Sequence, residues 1–257
     1  MNALRLLVVV ASIAAMPFAH ASASDAKIAD AAGFTQRLGA TIPGDLAFRD
    51  ESGRDVSLRD FFGDAPIVLV FAWFGCTTLC PTVTANLAHR LAGADAAADR
   101  YEVVVASIDP RDAAQDAARM KHRVLHDDLA QAPRWHFVTG REDAIAALAQ
   151  SAGFRYAYDD ATHQYAHPAG YVVLTPDGRI SRYFLGFDFT RDDLRAALAD
   201  ADRHAIGTAA DRLLLLCFHF APGGRYSATV MNGLRLASAG LLALCIGAVV
   251  LTRRGPR

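Results

Sequence analysis

Cys76 and Cys80, in the run Gly75-Cys76-Thr-Thr-Leu-Cys80-Pro81, are the residues whose type and spacing offer most chemistry. Four positions apart on or near the first turns of a helix, two thiols share one face. There they stand at a separation that a disulfide can span, and two thiolates can grip a soft ion from one side. Cys76, at the end of a buried strand and the start of a helix, meets free backbone N–H groups and the helix dipole, so its pKa is expected to fall. Pro81 suits a first helical turn, where its missing N–H costs nothing. An inert disulfide here would close a tiny loop and add little stability. The spacing is one residue longer than the Cys-x-x-Cys of dithiol oxidoreductases, and copper(I) fits a pair of soft thiolates so placed. Two thiolates leave a coordination sphere incomplete, so the metal reading calls for a third ligand, an imidazole arriving from elsewhere in the chain.

Nine histidines are available. His122 and His126 lie four apart beside charged residues and read as a solvated helix face; His89 and His204 are single histidines on surface-like helices. His163 and His167 differ, because they lie in Thr162-His-Gln-Tyr-Ala-His-Pro-Ala-Gly170, just before a strand that should run near the cysteine helix. His167 is the candidate third ligand.

The elements that must position these groups follow from hydrophobic patterning. Residues 66–74 form a continuous apolar run, β-branched and aromatic, as expected of a central strand buried on both faces. It leads straight into the cysteines and a helix over 82–91. Before it, a hairpin is expected from 46–48 and 56–58, with a helical turn at 58–62. After it come a strand at 101–108 ending in Asp109-Pro110, a helix over 112–129, a strand at 135–138 and a helix over 142–152. A hairpin of 170–175 and 179–184 about Pro176-Asp-Gly178 and a last helix over 191–203 complete the pattern. This order is that of an α/β, thioredoxin-like fold with a helical insertion, spanning residues 41–205. Residues 24–40 read as an arm leading into it.

The 257 residues suffice for one such domain plus accessory segments, and the formal net charge of −1 gives no electrostatic footprint for nucleic acid. Residues 1–23 carry Arg5, an apolar stretch over 6–15 and Ala19-His-Ala21, the parts of a cleaved signal peptide. Residues 228–252 read as a single transmembrane helix. The basic tail 253–257, with Arg253, Arg254 and Arg257, places the C-terminus in the cytoplasm and the domain on the outer, periplasmic side of the inner membrane. The linker 206–227 contains Cys217 and His219, which could contact a soft metal but read more simply as part of an apolar interfacial run. Cys245, inside the anchor, reads as a small apolar residue. Export also lets disulfides persist, so a thiol–disulfide role for Cys76 and Cys80 stays open beside the copper one.

Taken together, Phe71-Ala-Trp-Phe-Gly-Cys76-Thr-Thr-Leu-Cys80-Pro81, Ser107-Ile-Asp-Pro-Arg-Asp112, Trp135-His-Phe-Val-Thr-Gly140 and His167 nine residues before Pro176 resemble the Sco/SenC family of copper-handling oxidase-assembly proteins. The resemblance implies a thioredoxin-like domain in which Cys76, Cys80 and His167 bind a copper ion. It implies that Asp109 and Asp112 sit near the site and orient it without binding the metal; as plain structural residues they would be a turn and a helix cap. It also implies a metallochaperone serving the copper-binding subunit of a respiratory cytochrome oxidase, with thiol reductant and copper donor proteins as further partners. The enzyme alternative is a thiol-disulfide oxidoreductase acting on cysteines of an oxidase subunit or another exported protein. The chain departs from the family in carrying Ala166 and Pro168 around His167, where an acidic residue and a Ser or Thr are usual, and in an anchor that is C-terminal.

Overall fold

The computed structural model describes residues 31–77, 79–92, 100–125, 129–186, 189–207 and 238. The expected signal peptide, nearly all of the expected membrane anchor, and Cys217, His219, Cys245 and His126 lie outside the described residues. Among the described residues no helix is long and apolar enough to cross a membrane.

The strands are β1 (Gly33–Phe34), β2 (Ala47–Asp50), β3 (Asp55–Ser57), β4 (Ile67–Ala72), β5 (Glu102–Ser107), β6 (Trp135–Thr139), β7 (Phe154–Arg155), β8 (Ala157–Asp159), β9 (Gln164–Ala166), β10 (Gly170–Leu174) and β11 (Ile180–Leu185). The helices are α1 (Leu79–Leu91), α2 (Ala114–Leu125), α3 (Glu142–Ser151) and α4 (Arg191–Asp202). One seven-stranded sheet runs β11-β10-β4-β5-β6-β2-β3. β4, β5 and β6 are parallel to one another, while β10 and β2 flank them antiparallel.

β4 is central because every one of its residues can be buried: Val68, Val70 and Ala72 face one core, Ile67, Leu69 and Phe71 the other. The first core is closed by α1, α2 and α4 through Leu87, Met120 and Leu198; the second by α3 through Ile145 and Leu148. This is the thioredoxin-like layering of helices on both faces of a mixed sheet.

Two small pairings lie outside that sheet. β1, within the stretch expected as an arm, pairs with β7, so Phe34 is buried against Phe154. β8 and β9 form a hairpin paired only with itself, and it delivers the chain to His167. Neither pairing shows in the hydrophobic periodicity, since each strand is two or three residues long.

Candidate functional site

β4 ends at Ala72, and the chain turns through Trp73–Cys76, closed by the Cys76 N–H donating to the Trp73 carbonyl at 3.1 Å. Both peptide groups of Phe74 in this turn are held from the α2 side. Its N–H donates to Asp112 Oδ2 at 3.2 Å, and its carbonyl accepts from Arg123 at 2.9 Å. α1 starts at Leu79, three residues earlier than the sequence pattern suggests. Cys80 therefore sits in its first turn, and Cys76 in the loop before it.

His167 arrives by the neighbouring strand. β10 pairs antiparallel with β4, Tyr171 opposite Val70, so the start of β10 stands beside the end of β4. Gly170 opens β10 at a close approach, for a Cβ there would stand 2.6 Å from the Phe184 carbonyl oxygen. His167 lies three residues upstream, with its Nε2 3.3 Å from Cys80 Sγ.

The imidazole's other nitrogen settles its tautomer. Nδ1 is 3.2 Å from the Pro168 carbonyl oxygen, and a carbonyl only accepts, so Nδ1 carries the proton and the Nε2 lone pair faces Cys80. Burial lowers the His167 pKa, against a smaller upward pull from Pro168, which favours the neutral ring that a metal needs. The sequence departure at Pro168 thus has a structural answer: the backbone carbonyl of the following residue orients the ring.

The lowering expected between the strand end and the helix start concerns Cys76; Cys80 lies inside the first turn of α1. Its thiol is at a helix start, yet its pKa is pushed up to about 12, first by burial and further by the neighbouring Cys76, with the Trp73 N–H opposing. Cys80 is 5% exposed, and loss of hydration outweighs the helix terminus. No disulfide joins the two thiols, and they are in contact. A small cavity of about 30 Å³ is lined by Cys80, His167, Leu79, Thr84 and Gly170, room for about one water or one ion. The much larger hollow, about 620 Å³, touches Asp112 but none of Cys76, Cys80 and His167.

The structure therefore brings Cys80 together with both Cys76 and His167. Among the described residues, no three His, Cys, Asp or Glu side chains are already arranged around a point as a metal cage. The donor set fits a soft ion all the same. Two ligands at the roughly 2.0–2.3 Å bond lengths of imidazole and thiolate stand about 3.5 Å apart at a tetrahedral angle, and the Cys80–His167 separation is 3.3 Å. Cys76 is half-buried in its loop, in contact with Cys80.

Asp109 and Asp112 do different things. Asp112 accepts from Ser107 Oγ at 2.6 Å and from the Phe74 N–H, so it fixes the cysteine turn; Asp116, not Asp112, accepts the Ala113 N–H at the start of α2. Burial raises the pKa of Asp112. Asp109, 4% exposed, accepts from the N–H and guanidinium of Arg111 and from the Tyr165 hydroxyl. Burial pushes its carboxyl up, but those hydrogen bonds win and hold it below the ordinary value of 3.8. His163 turns away, 3.4 Å from the Tyr158 hydroxyl. Sequence reasoning did not single out Arg111, Tyr158 or Tyr165, since nothing in their spacing says that they meet.

A family model described as SCO1/SenC matches residues 35–201. Comparison with curated proteins finds no match. Among solved structures, one described as a candidate electron transfer protein of Aquifex aeolicus is 24% identical, with a TM-score of 0.58, covering 65% of this chain and 95% of that one. Arabidopsis thaliana ScoI, solved with copper bound, is 18% identical at a TM-score of 0.52, over 63% of this chain and 99% of that one. BsSco, described as a member of the Sco family of cytochrome c oxidase assembly proteins and as having a disulfide switch, is 19% identical at 0.53, over 65% and 96%. At these identities the likeness is one of fold.

Proposed function

The chain belongs to the SCO1/SenC family, and on that premise we propose that it is a copper metallochaperone whose Cys76, Cys80 and His167 carry copper(I) to the copper-binding subunit of a cytochrome oxidase. The observation that carries the reading is the 3.3 Å contact between Cys80 Sγ and the bare Nε2 of His167, 87 residues apart in sequence. A thiol pair alone suits redox chemistry as well; an oriented neutral imidazole closing on it suits a soft ion. The copper-bound Arabidopsis relative and the oxidase-assembly description of BsSco support the same choice.

Copper moves by ligand exchange: an acceptor's donors enter as Cys76, the more accessible thiol, lets go first. Leu79, between the two cysteines, is 58% exposed, the one large apolar side chain so exposed among the described residues, and it gives an approaching partner an apolar contact beside the site. The sequence supports a domain that works on the periplasmic face of the inner membrane, after removal of a signal peptide and on an anchor over residues 228–252. Alkaline extraction and reporter fusions at either end of that segment test the topology; a protein released by alkali would overturn the anchor.

The test of the copper reading is metal stoichiometry on the full-length, reduced protein under anaerobic conditions, beside Cys76→Ala, Cys80→Ala and His167→Ala. One copper per chain is expected, lost or weakened in all three variants. The second reading rests on the contact between two thiols that no disulfide joins. As an oxidoreductase, one thiolate attacks a partner disulfide and releases the first partner thiolate, and the other cysteine then resolves the mixed disulfide. The partner gains two thiols and Cys76–Cys80 becomes the disulfide. That chemistry does not need His167, so a wild type that holds no copper while His167→Ala still exchanges disulfides would replace the copper reading with this one.

A further inference from the structure

The β8–β9 hairpin that delivers His167 makes no ladder with the seven-stranded sheet, and each of its strands is three residues long. Isolated two-stranded hairpins are marginal in water, so side chains must fix this one. Those contacts converge on the turn after β5. Arg111 places its guanidinium 4.9 Å from the Tyr158 ring centre and 6.0 Å from that of Tyr165. The same guanidinium grips both oxygens of Asp109, at 2.8 and 2.9 Å, and the Tyr165 hydroxyl bonds that carboxylate too. Tyr165 in turn packs edge-on against Trp73, in the turn that leads to Cys76. Tyr158 and Tyr165 sit on β8 and β9, and β9 ends one residue before His167.

We propose that Arg111 is a positioning residue for His167: braced on the buried Asp109, its planar cation lies across Tyr158 and Tyr165 and clamps the β8–β9 hairpin to the domain, which keeps Nε2 of His167 within reach of Cys80. Only the identity of what His167 then binds rests on the copper reading. An arginine suits this task better than a lysine, because the flat fork holds both carboxylate oxygens while its charge stands over the Tyr158 ring. The side chain is 62% exposed, so replacing it leaves no hole in either core.

The test compares Arg111→Gln and Arg111→Lys with wild type as full-length, reduced, metal-free protein. It reads amide exchange over residues 157–166, the ring signals of His167 assigned with a His167→Gln control, and then competition affinity for copper(I). Arg111→Gln should speed hairpin exchange about tenfold, move the His167 ring signals toward free imidazole and weaken copper binding about tenfold. Exchange in α1 should hardly change. Arg111→Lys should recover only part of each effect. Unchanged hairpin exchange overturns the clamp, as does faster exchange with unmoved ring signals. A lysine variant indistinguishable from wild type would reduce the effect to charge and likewise overturn it. The first two readouts need no metal, so a wild type that holds the clamp yet takes up no copper defeats the copper reading alone.

Discussion

The two halves of the candidate site are built on different kinds of support. The cysteines leave a strand with all six residues buried, with sheet neighbours on both sides, and enter a helix whose Val83, Leu87, Ala88 and Leu91 are in the core. The histidine follows a three-residue strand in a hairpin held by rings, one guanidinium and one buried carboxylate. Area buried, and hence hydrophobic stabilisation, is concentrated on the cysteine side. The contrast puts the two halves of the site on supports of unequal strength, one built into the main core and the other held by a few polar and ring contacts.

The largest effect that can break this comparison is on global stability. Leu87 is fully buried on the core face of α1, so Leu87→Ala should cost about 2–5 kcal/mol through lost transfer energy and the cavity left behind. Tyr158→Ala, in the hairpin, should cost no more than about 1 kcal/mol, the scale of an exposed cation–π contact. Denaturant unfolding of both variants measures the difference. Equal losses would mean that the hairpin is part of the main cooperative unit, and the contrast would fail.

The cysteine half was legible in the sequence because its signals are local: an apolar strand run, two soft residues at helical spacing, a proline for the first turn. The order of the long strands and helices was legible for the same reason. His167 was legible only as a position ahead of a strand, since what brings it to Cys80 is the β10–β4 pairing across about a hundred residues. The short pairings of β1 with β7 and of β8 with β9 leave too few residues for a period to register. The sign of the Cys80 shift was also hidden, because a helix start is visible in a sequence while the depth of burial that overrides it is not.

A smaller effect separates the two aspartates, one in each half. Asp109 is ionised and fully engaged by Arg111 and Tyr165, and Asp109→Asn breaks charge-assisted bonds that bridge the turn to the hairpin. A loss of about 1.5–3 kcal/mol is expected, with faster exchange in residues 157–166. Asp112 is raised by burial, so its charged form is disfavoured, and an asparagine oxygen can still accept from Ser107 and Phe74. Asp112→Asn should therefore lie within about 1 kcal/mol of wild type, with the cysteine turn intact. Thermal and denaturant unfolding decide it; a larger loss from Asp112→Asn than from Asp109→Asn would reverse the assignment.

The smallest effect, and the sharpest in sign, is the pH dependence of these same two groups. Asp109 has a folded pKa below the ordinary 3.8, so its contribution to stability is present above that value. It is lost as pH falls through the folded pKa, because the unfolded chain takes up the proton first. Asp112 has a folded pKa above 3.8, so its contribution is complete below 3.8 and is lost as pH rises through the folded value. Comparing each variant with wild type from pH 7 to pH 3 cancels the other titrating groups. The stability gap between wild type and Asp109→Asn should hold down to about pH 4 and then shrink. The gap to Asp112→Asn should instead move in favour of wild type as pH falls through the folded pKa of Asp112, and level off below 3.8. Gaps that stay flat across this range would show that neither carboxylate senses its half of the site, and the contrast between a buried turn and a charge-clamped hairpin would lose its electrostatic basis.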